Sequence, residues 1–255
     1  MILACDVGNT NVKTAVFHGD KIEEIFSFDN LNTFFTYLEK LHPEEIAIAS
    51  VVPSTTEKLT DFIKEKIGLK PLLINKDLNF NLTIDYDSIE TLGIDRICSA
   101  EGAYKLFKNS NEFNNYAEGT YLITIDFGTA TTINIIRYPG IFTGGLIAPG
   151  INMMFNSLSQ NTAQLPRVNE NDFRMLIGRD TKTSIASGVI NSVAGMIEKT
   201  LKHLKDNHNA EYIKIFITGG NAEKIIPHLN NINFEYQKAL VLIGVKAIFE
   251  MNSQR

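Results

Sequence analysis

Residues 2–7 (ILACDV) and 12–17 (VKTAVF) are apolar and rich in β-branched side chains, and Gly8-Asn9-Thr10-Asn11 between them supplies turn residues. The pattern predicts a hairpin, with a third strand around residues 21–26. Apolar side chains at 31, 34, 35, 38 and 41 fall on one face of a helix over 31–41. A short apolar run at 46–52, bracketed by Pro43 and Pro53, reads as a strand, and 54–67 as an amphipathic helix. Strand and helix then alternate, which is the rhythm of α/β architecture. A long helix is predicted near 184–205, with Ile185, Val189, Val193, Met196, Ile197, Leu201 and Leu204 at helical spacing; that stripe is core, a dimer seam or both.

The start of the chain recurs. Asp6-Val7-Gly8-Asn9-Thr10 superimposes on Asp126-Phe127-Gly128-Thr129-Ala130, 120 positions later, and the apolar arms after each turn match. A weaker echo sets IAIASVVPSTTEKL (46–59) beside IKIFITGGNAEKII (213–226), with an insertion in the second half within 145–211. The pattern predicts two domains, 1–114 and 115–255, divided in the Asn-rich polar stretch 108–118.

Composition narrows the function. At 255 residues and 44% apolar content the chain has material for a packed core, and about 150 residues per domain allows one or two domains. The net charge is −5 and no block of Lys/Arg occurs, which argues against nucleic acid as a partner. No apolar run reaches membrane-spanning length and the N-terminus lacks a basic signal-peptide region, so a cytoplasmic protein without membrane association is expected. Cys5 and Cys98 are too few for a disulfide framework and lack metal-ligand spacing; both read as small packing residues. Asp20, Asp61, Asp77 and Asp172 read as solvated.

Each Asp-x-Gly turn brings a carboxylate able to hold a cation, a glycine that lets backbone N–H groups approach phosphate, and neutral donors from Asn9, Thr10, Thr129 and Thr131. Phosphoryl transfer requires chiefly positioning and dispersal of charge, and such loops supply both. Neither GxxxxGK[ST] nor GxGxxG is present. Thr218-Gly219-Gly220 ends a strand and enters a helix, as an adenosine contact or as a plain tight turn. Lys13 points to phosphate or to solvent, since side chains alternate along its strand. Asp95-Arg96 reads either as a catalytic carboxylate with a cation beside it or as a surface ion pair capping a helix that begins near Ile97.

Taken together, DVGNTN (6–11), YDSIETLGIDR (86–96), DFGTATT (126–132), GGLIAPG (144–150) and TGG (218–220) closely resemble the type III pantothenate kinases, within the acetate and sugar kinase, Hsp70 and actin superfamily. The resemblance implies an α/β fold of two ribonuclease-H-like domains around a cleft. It also implies phosphorylation of pantothenate by ATP as the first step of coenzyme A synthesis, a homodimer, a monovalent cation (potassium or ammonium), and magnesium with the ATP. By position, Asp6, Val7, Gly8, Asn9, Thr10, Asn11, Val12 and Lys13 correspond to the first phosphate loop. Thr129, with Gly219 and Gly220, corresponds to further nucleotide contacts, and Asp126 to the monovalent-cation ligand. Tyr86, Gly93, Ile94, Asp95 and Arg96 correspond to the pantothenate pocket, with Asp95 as general base, and Thr181 to a further substrate contact. The chain departs from the family at Ser88-Ile89, where Asn-Pro is common, and at Ile94, where Ala is common. Two alternatives accompany this reading: a kinase of the same superfamily for another small hydroxy acid, and a nucleotide-binding accessory protein without transfer.

Overall fold

The computed structural model describes residues 1–110, 118–230 and 232–253. The chain opens with β1 (Ile2–Val7), β2 (Val12–His18) and β3 (Lys21–Phe28), the predicted meander, followed by α1 (Leu31–Leu41) and β4 (Glu45–Ser50). Asn30 starts α1 because its side-chain oxygen accepts the Asn32 N–H at 2.8 Å, satisfying a donor the first turn leaves open. Phe34 and Leu38 on its inner face are fully buried against Leu3, Cys5 and Val16, each side chain contributing about 2 kcal/mol through burial. After α2 (Pro53–Phe62), a π-helical turn at Ile63–Ile67 and β5 (Leu72–Leu73), the sheet is complete in the order β3-β2-β1-β4-β5. β1 runs antiparallel to β2 and parallel to β4, so Asp6 faces Lys13 on one side and Ala49 on the other.

Two further elements follow: β6 (Thr83–Ile84), which no pattern announced, and α3 (Ile94–Lys108), the helix expected to begin near Ile97. β7 (Thr120–Phe127), β8 (Ala130–Arg137) and β9 (Ile141–Pro149) form the second meander. Then come α4 (Ile151–Gln160), the long α5 (Thr181–His208), β10 (Tyr212–Thr218), α6 (Ala222–Ile225) and β11 (Glu235–Tyr236). The second sheet has the order β11-β10-β7-β8-β9-β6. Apart from β6, this repeats the first sheet strand for strand: β7 pairs in parallel with β10 as β1 does with β4. The internal echo in the sequence is thus a repeated sheet plan.

The chain closes with α7 (Leu240–Ser253). Its contacts, with those of residues 134–144, cluster with the N-terminal half: one compact unit comprises Met1–Tyr116, Asn134–Gly144 and Ala239–Arg255, the other Ala117–Ile133 and Gly145–Lys238. The predicted boundary between 114 and 115 lies outside the described residues. The expectation that 115–255 forms one continuous domain is corrected by α7, which packs on α3, β1 and β4. The cause is a close helix crossing: a Cβ on Gly102 of α3 would stand 2.1 Å from the Leu240 carbonyl oxygen, so only glycine admits α7 there. Asp20 is exposed, as expected, and its carboxylate also accepts from Lys246 Nζ at 3.0 Å. Burial alone would lower the pKa of that lysine; its hydrogen bonds to Glu250 and Asp20 outweigh this and hold it above its ordinary value. Among the described residues no helix is long and apolar enough to cross a membrane.

Candidate functional site

Within the first unit, the turn after β1 is held by the Gly8 N–H donating to the Asn11 carbonyl at 3.1 Å, leaving Asn9 and Thr10 exposed. Asn11 Nδ2 donates to Ser27 Oγ at 3.1 Å, tying the turn to β3. Because Lys13 lies directly opposite Asp6 in the antiparallel register, the two side chains share a face. Cys5 and Cys98 are fully buried, in line with the packing role read from the sequence. Burial pushes both thiols up, and the charges of Asp6 and Asp95 both add to the effect on Cys98. Asp6 and Asp95 therefore lie within electrostatic reach of one buried sulfur.

Asp95 stands in the first turn of α3, which starts at Ile94 with Gly93 as its N-cap, three residues before the predicted start. Gly93 makes room for the carboxylate, since a Cβ there would lie 2.4 Å from Asp95 Oδ1. The surface ion pair considered for Asp95-Arg96 is overturned: Arg96 is 5% exposed, and its Nε donates to Asn134 Oδ1 on β8 at 2.7 Å. Its guanidinium carbon sits 5.8 Å from the Tyr86 ring centroid and 5.7 Å from that of Phe142.

Tyr86 is delivered to this cluster by β6, which pairs with β9. The Thr83 N–H donates to the Gly140 carbonyl and the Asp85 N–H to the Phe142 carbonyl, each at 2.9 Å. The Tyr86 ring then meets Phe142 edge-on at 6.1 Å. Gly144 carries the left-handed φ of 119° beside that ring, where a side chain's Cβ would come within 3.6 Å of it. Fully buried Glu101 fixes the approach to β6: Oε1 accepts the Leu82 N–H at 2.9 Å and Oε2 accepts from Asn81 Nδ2 at 3.0 Å.

Within the second unit, three motifs meet at the second Asp-x-Gly turn. The Asn221 N–H donates to the Phe127 carbonyl at 2.9 Å, and Asn221 Nδ2 donates to the Gly128 carbonyl at 3.2 Å. Gly219, at φ 101°, lies so near that a Cβ would be 2.4 Å from Asp126 Oδ1. From the other side the Gly150 N–H donates to the Thr129 carbonyl at 3.0 Å, bringing the N-terminus of α4 against the turn. The residues around Asp126 offer carboxylate and carbonyl oxygens, a hard donor set that fits a monovalent or magnesium ion. Among the described residues no cluster of three His, Cys, Asp or Glu side chains forms a metal site. Thr181 is the first residue of α5, next to the N-cap Asp180, whose carboxylate is held below its usual pKa by the Thr183 N–H. It lines an apolar groove of about 860 Å³ between α4 and α5.

The structure thus groups Tyr86, Gly93, Ile94, Asp95 and Arg96 with the first turn in one unit, and Asp126, Thr129, Gly219 and Gly220 in the other. Thr181 lies in the groove of the second unit. Sequence reasoning missed Asn134, Phe142 and Asn221. Asn134 carried a signal, being the one carboxamide in the apolar run of β8, where it registers only as a break in the greasy stretch.

Two sheets of one plan, each with an acidic turn at the carboxyl end of its first strand, define the actin-like ATPase and sugar-kinase class of fold. Solved structures agree at the level of fold: a Campylobacter jejuni protein assigned to the Baf family of transcriptional activators (TM-score 0.57, 21% identity, 98% of each chain), and the ROK hexokinase from Thermus thermophilus (TM-score 0.50, 11% identity, 97% of each chain). The family model described as "Type III pantothenate kinase" matches residues 2–203. A type III pantothenate kinase from Sulfurihydrogenibium sp. is 32% identical over 259 residues, covering 96% of this chain and 98% of that one. The chain belongs to the type III pantothenate kinase family, and it is a kinase.

Proposed function

We propose that this kinase transfers the γ-phosphoryl group of ATP to the 4′-hydroxyl of pantothenate, the entry step of coenzyme A synthesis. The observation that carries the reading is the Asp95-Arg96 pair. It puts a carboxylate in the first turn of α3 and, on the next residue, a buried guanidinium whose Nη2 has no hydrogen-bond partner, matching a substrate with a hydroxyl and an acid group. In this reading Asp95 orients the hydroxyl and takes its proton late, sufficient for a loose transition state. Arg96 receives the carboxylate, with Tyr86 beside it. The backbone of Asp6–Lys13 and the turn at Thr129 offer N–H donors to the phosphates, and Gly219-Gly220 admits the adenosine. Asp126 would hold a monovalent cation, which when bound would disperse phosphate charge, and magnesium would come with the ATP.

We propose further that the enzyme works in the cytoplasm as a homodimer. Support comes from the family resemblance and from apolar surface on the second unit, where Leu176 and Ile177 are 69% and 78% exposed. The test is coupled detection of ADP with and without pantothenate, alongside a panel of other small hydroxy acids. Release of ADP that depends on pantothenate supports the reading; release indifferent to it, or faster with another acid, overturns it.

A further inference from the structure

We infer that Asn134 is a positioning residue for acceptor recognition: it fixes the Arg96 guanidinium so that the Nη edge stays open to the acceptor's carboxylate. The inference rests on pantothenate as the acceptor and adds a determinant of its affinity. Arg96 is 5% exposed and Asn134 fully buried, and they meet through a single bond of 2.7 Å from Nε to Oδ1. Among the described residues no carboxylate pairs with Arg96 within 4.0 Å, and Nη2 is buried without a hydrogen-bond partner. A buried cation with no counter-charge is costly, and the faces of Tyr86 and Phe142 offset only part of that cost.

A neutral carboxamide leaves the cation unneutralised while occupying one of its donors. Bonding at Nε fixes the plane of the guanidinium fork, and the unused edge has the geometry that grips a carboxylate with two parallel hydrogen bonds. An anionic acceptor therefore completes a site the protein leaves half built. Asn134 lies on β8, remote in sequence from the GIDR segment, yet sets the direction in which that segment's cation points.

The test compares Asn134→Ala, Asn134→Ser and Asn134→Asp with the wild type on two acceptors: pantothenate, and its alcohol analogue with CH2OH in place of the carboxylate. Removing a hydrogen bond to a charged group should raise KM for pantothenate by about ten- to a hundredfold in the Ala and Ser variants. Their kcat, their KM for ATP and their KM for the alcohol should change by less than about threefold. Asn134→Asp keeps an oxygen acceptor but supplies the counter-charge the carboxamide withholds, so it should raise KM for pantothenate at least as much as the Ala and Ser variants; a wild-type KM in this variant would overturn the role given to the neutral carboxamide.

Unchanged KM for pantothenate in the Ala and Ser variants overturns the inference while leaving the kinase reading intact. So does a uniform loss on both acceptors, or a failure of both variants to fold while Asp folds, since either marks a purely structural residue. A wild type that ignores pantothenate overturns the kinase reading and this inference with it.

Discussion

Gly244 of α7 and Gly102 of α3 mark a crossing where the two helices touch backbone to backbone: a Cβ on Gly244 would fall 1.7 Å from the Cys98 carbonyl oxygen. The obstacle is main chain of the helix that carries Asp95, so rotamer changes cannot relieve it. Gly244→Ala should destabilise the protein by about 3 kcal/mol, the upper end of overpacking costs, because one helix must shift. Urea denaturation measures this, and a loss below 1 kcal/mol, taken as roughly the tolerated range for such swaps, would contradict the packing described.

Asp95→Asn leaves the shape of the first turn of α3 unchanged and removes the carboxylate proposed as proton acceptor. We expect kcat to fall by about 10²- to 10⁴-fold with nucleotide affinity nearly unaltered. Wild-type turnover in this variant would remove Asp95 from its assigned role.

Gly93→Ala tests the same carboxylate from the other direction. Gly93 has an ordinary φ of −62°, so alanine brings no backbone strain, but its Cβ would displace Asp95 Oδ1. Turnover should drop by about tenfold or more, as misplacement of a reacting group does, while the thermal midpoint moves by only a few degrees. Full activity would show that the carboxylate does not act from the position it holds here.

Asp126→Ala should blunt the response of turnover to potassium, because it removes the carboxylate from the oxygen-rich turn. A potassium titration of wild type and variant, at fixed magnesium and ATP, reads the difference. Parallel curves would place the cation elsewhere.

Glu101 makes a prediction about pH. Burial raises its carboxyl above the ordinary value of 4.5, against the opposing hydrogen bonds from Asn81 and Leu82. The folded state thus holds this proton more tightly than the unfolded chain. Its contribution to stability is full below pH 4.5 and declines as pH rises through the folded value. The stability of wild type relative to Glu101→Gln should fall with rising pH across that range. A difference that grows with pH would mean the carboxylate is favoured by folding.

Hydrophobic patterning made α1, the first meander, the first two strands of the second and the long helix readable, because each carries a run or a face of apolar side chains. It failed at α3, where Ile97, Cys98, Ser99, Ala100, Glu101 and Gly102 are all buried and no polar face remains to set a period. β6 was invisible for another reason: two residues, Thr83 and Ile84, are too few for alternation, and what makes them a strand is the edge of β9. The acidic turns could be named from local chemistry. The cluster around Arg96 could not, since Tyr86, Asn134 and Phe142 come from separate stretches of chain and only sheet register brings them together.

The placement of α7 bears on how the protein is made. β1 is synthesised long before the helix that covers it, α7. A nascent chain still on the ribosome must keep β1 and β4 partly uncovered until Leu240–Ser253 emerges, so premature termination before that helix would leave an exposed apolar sheet for chaperones or proteases to find.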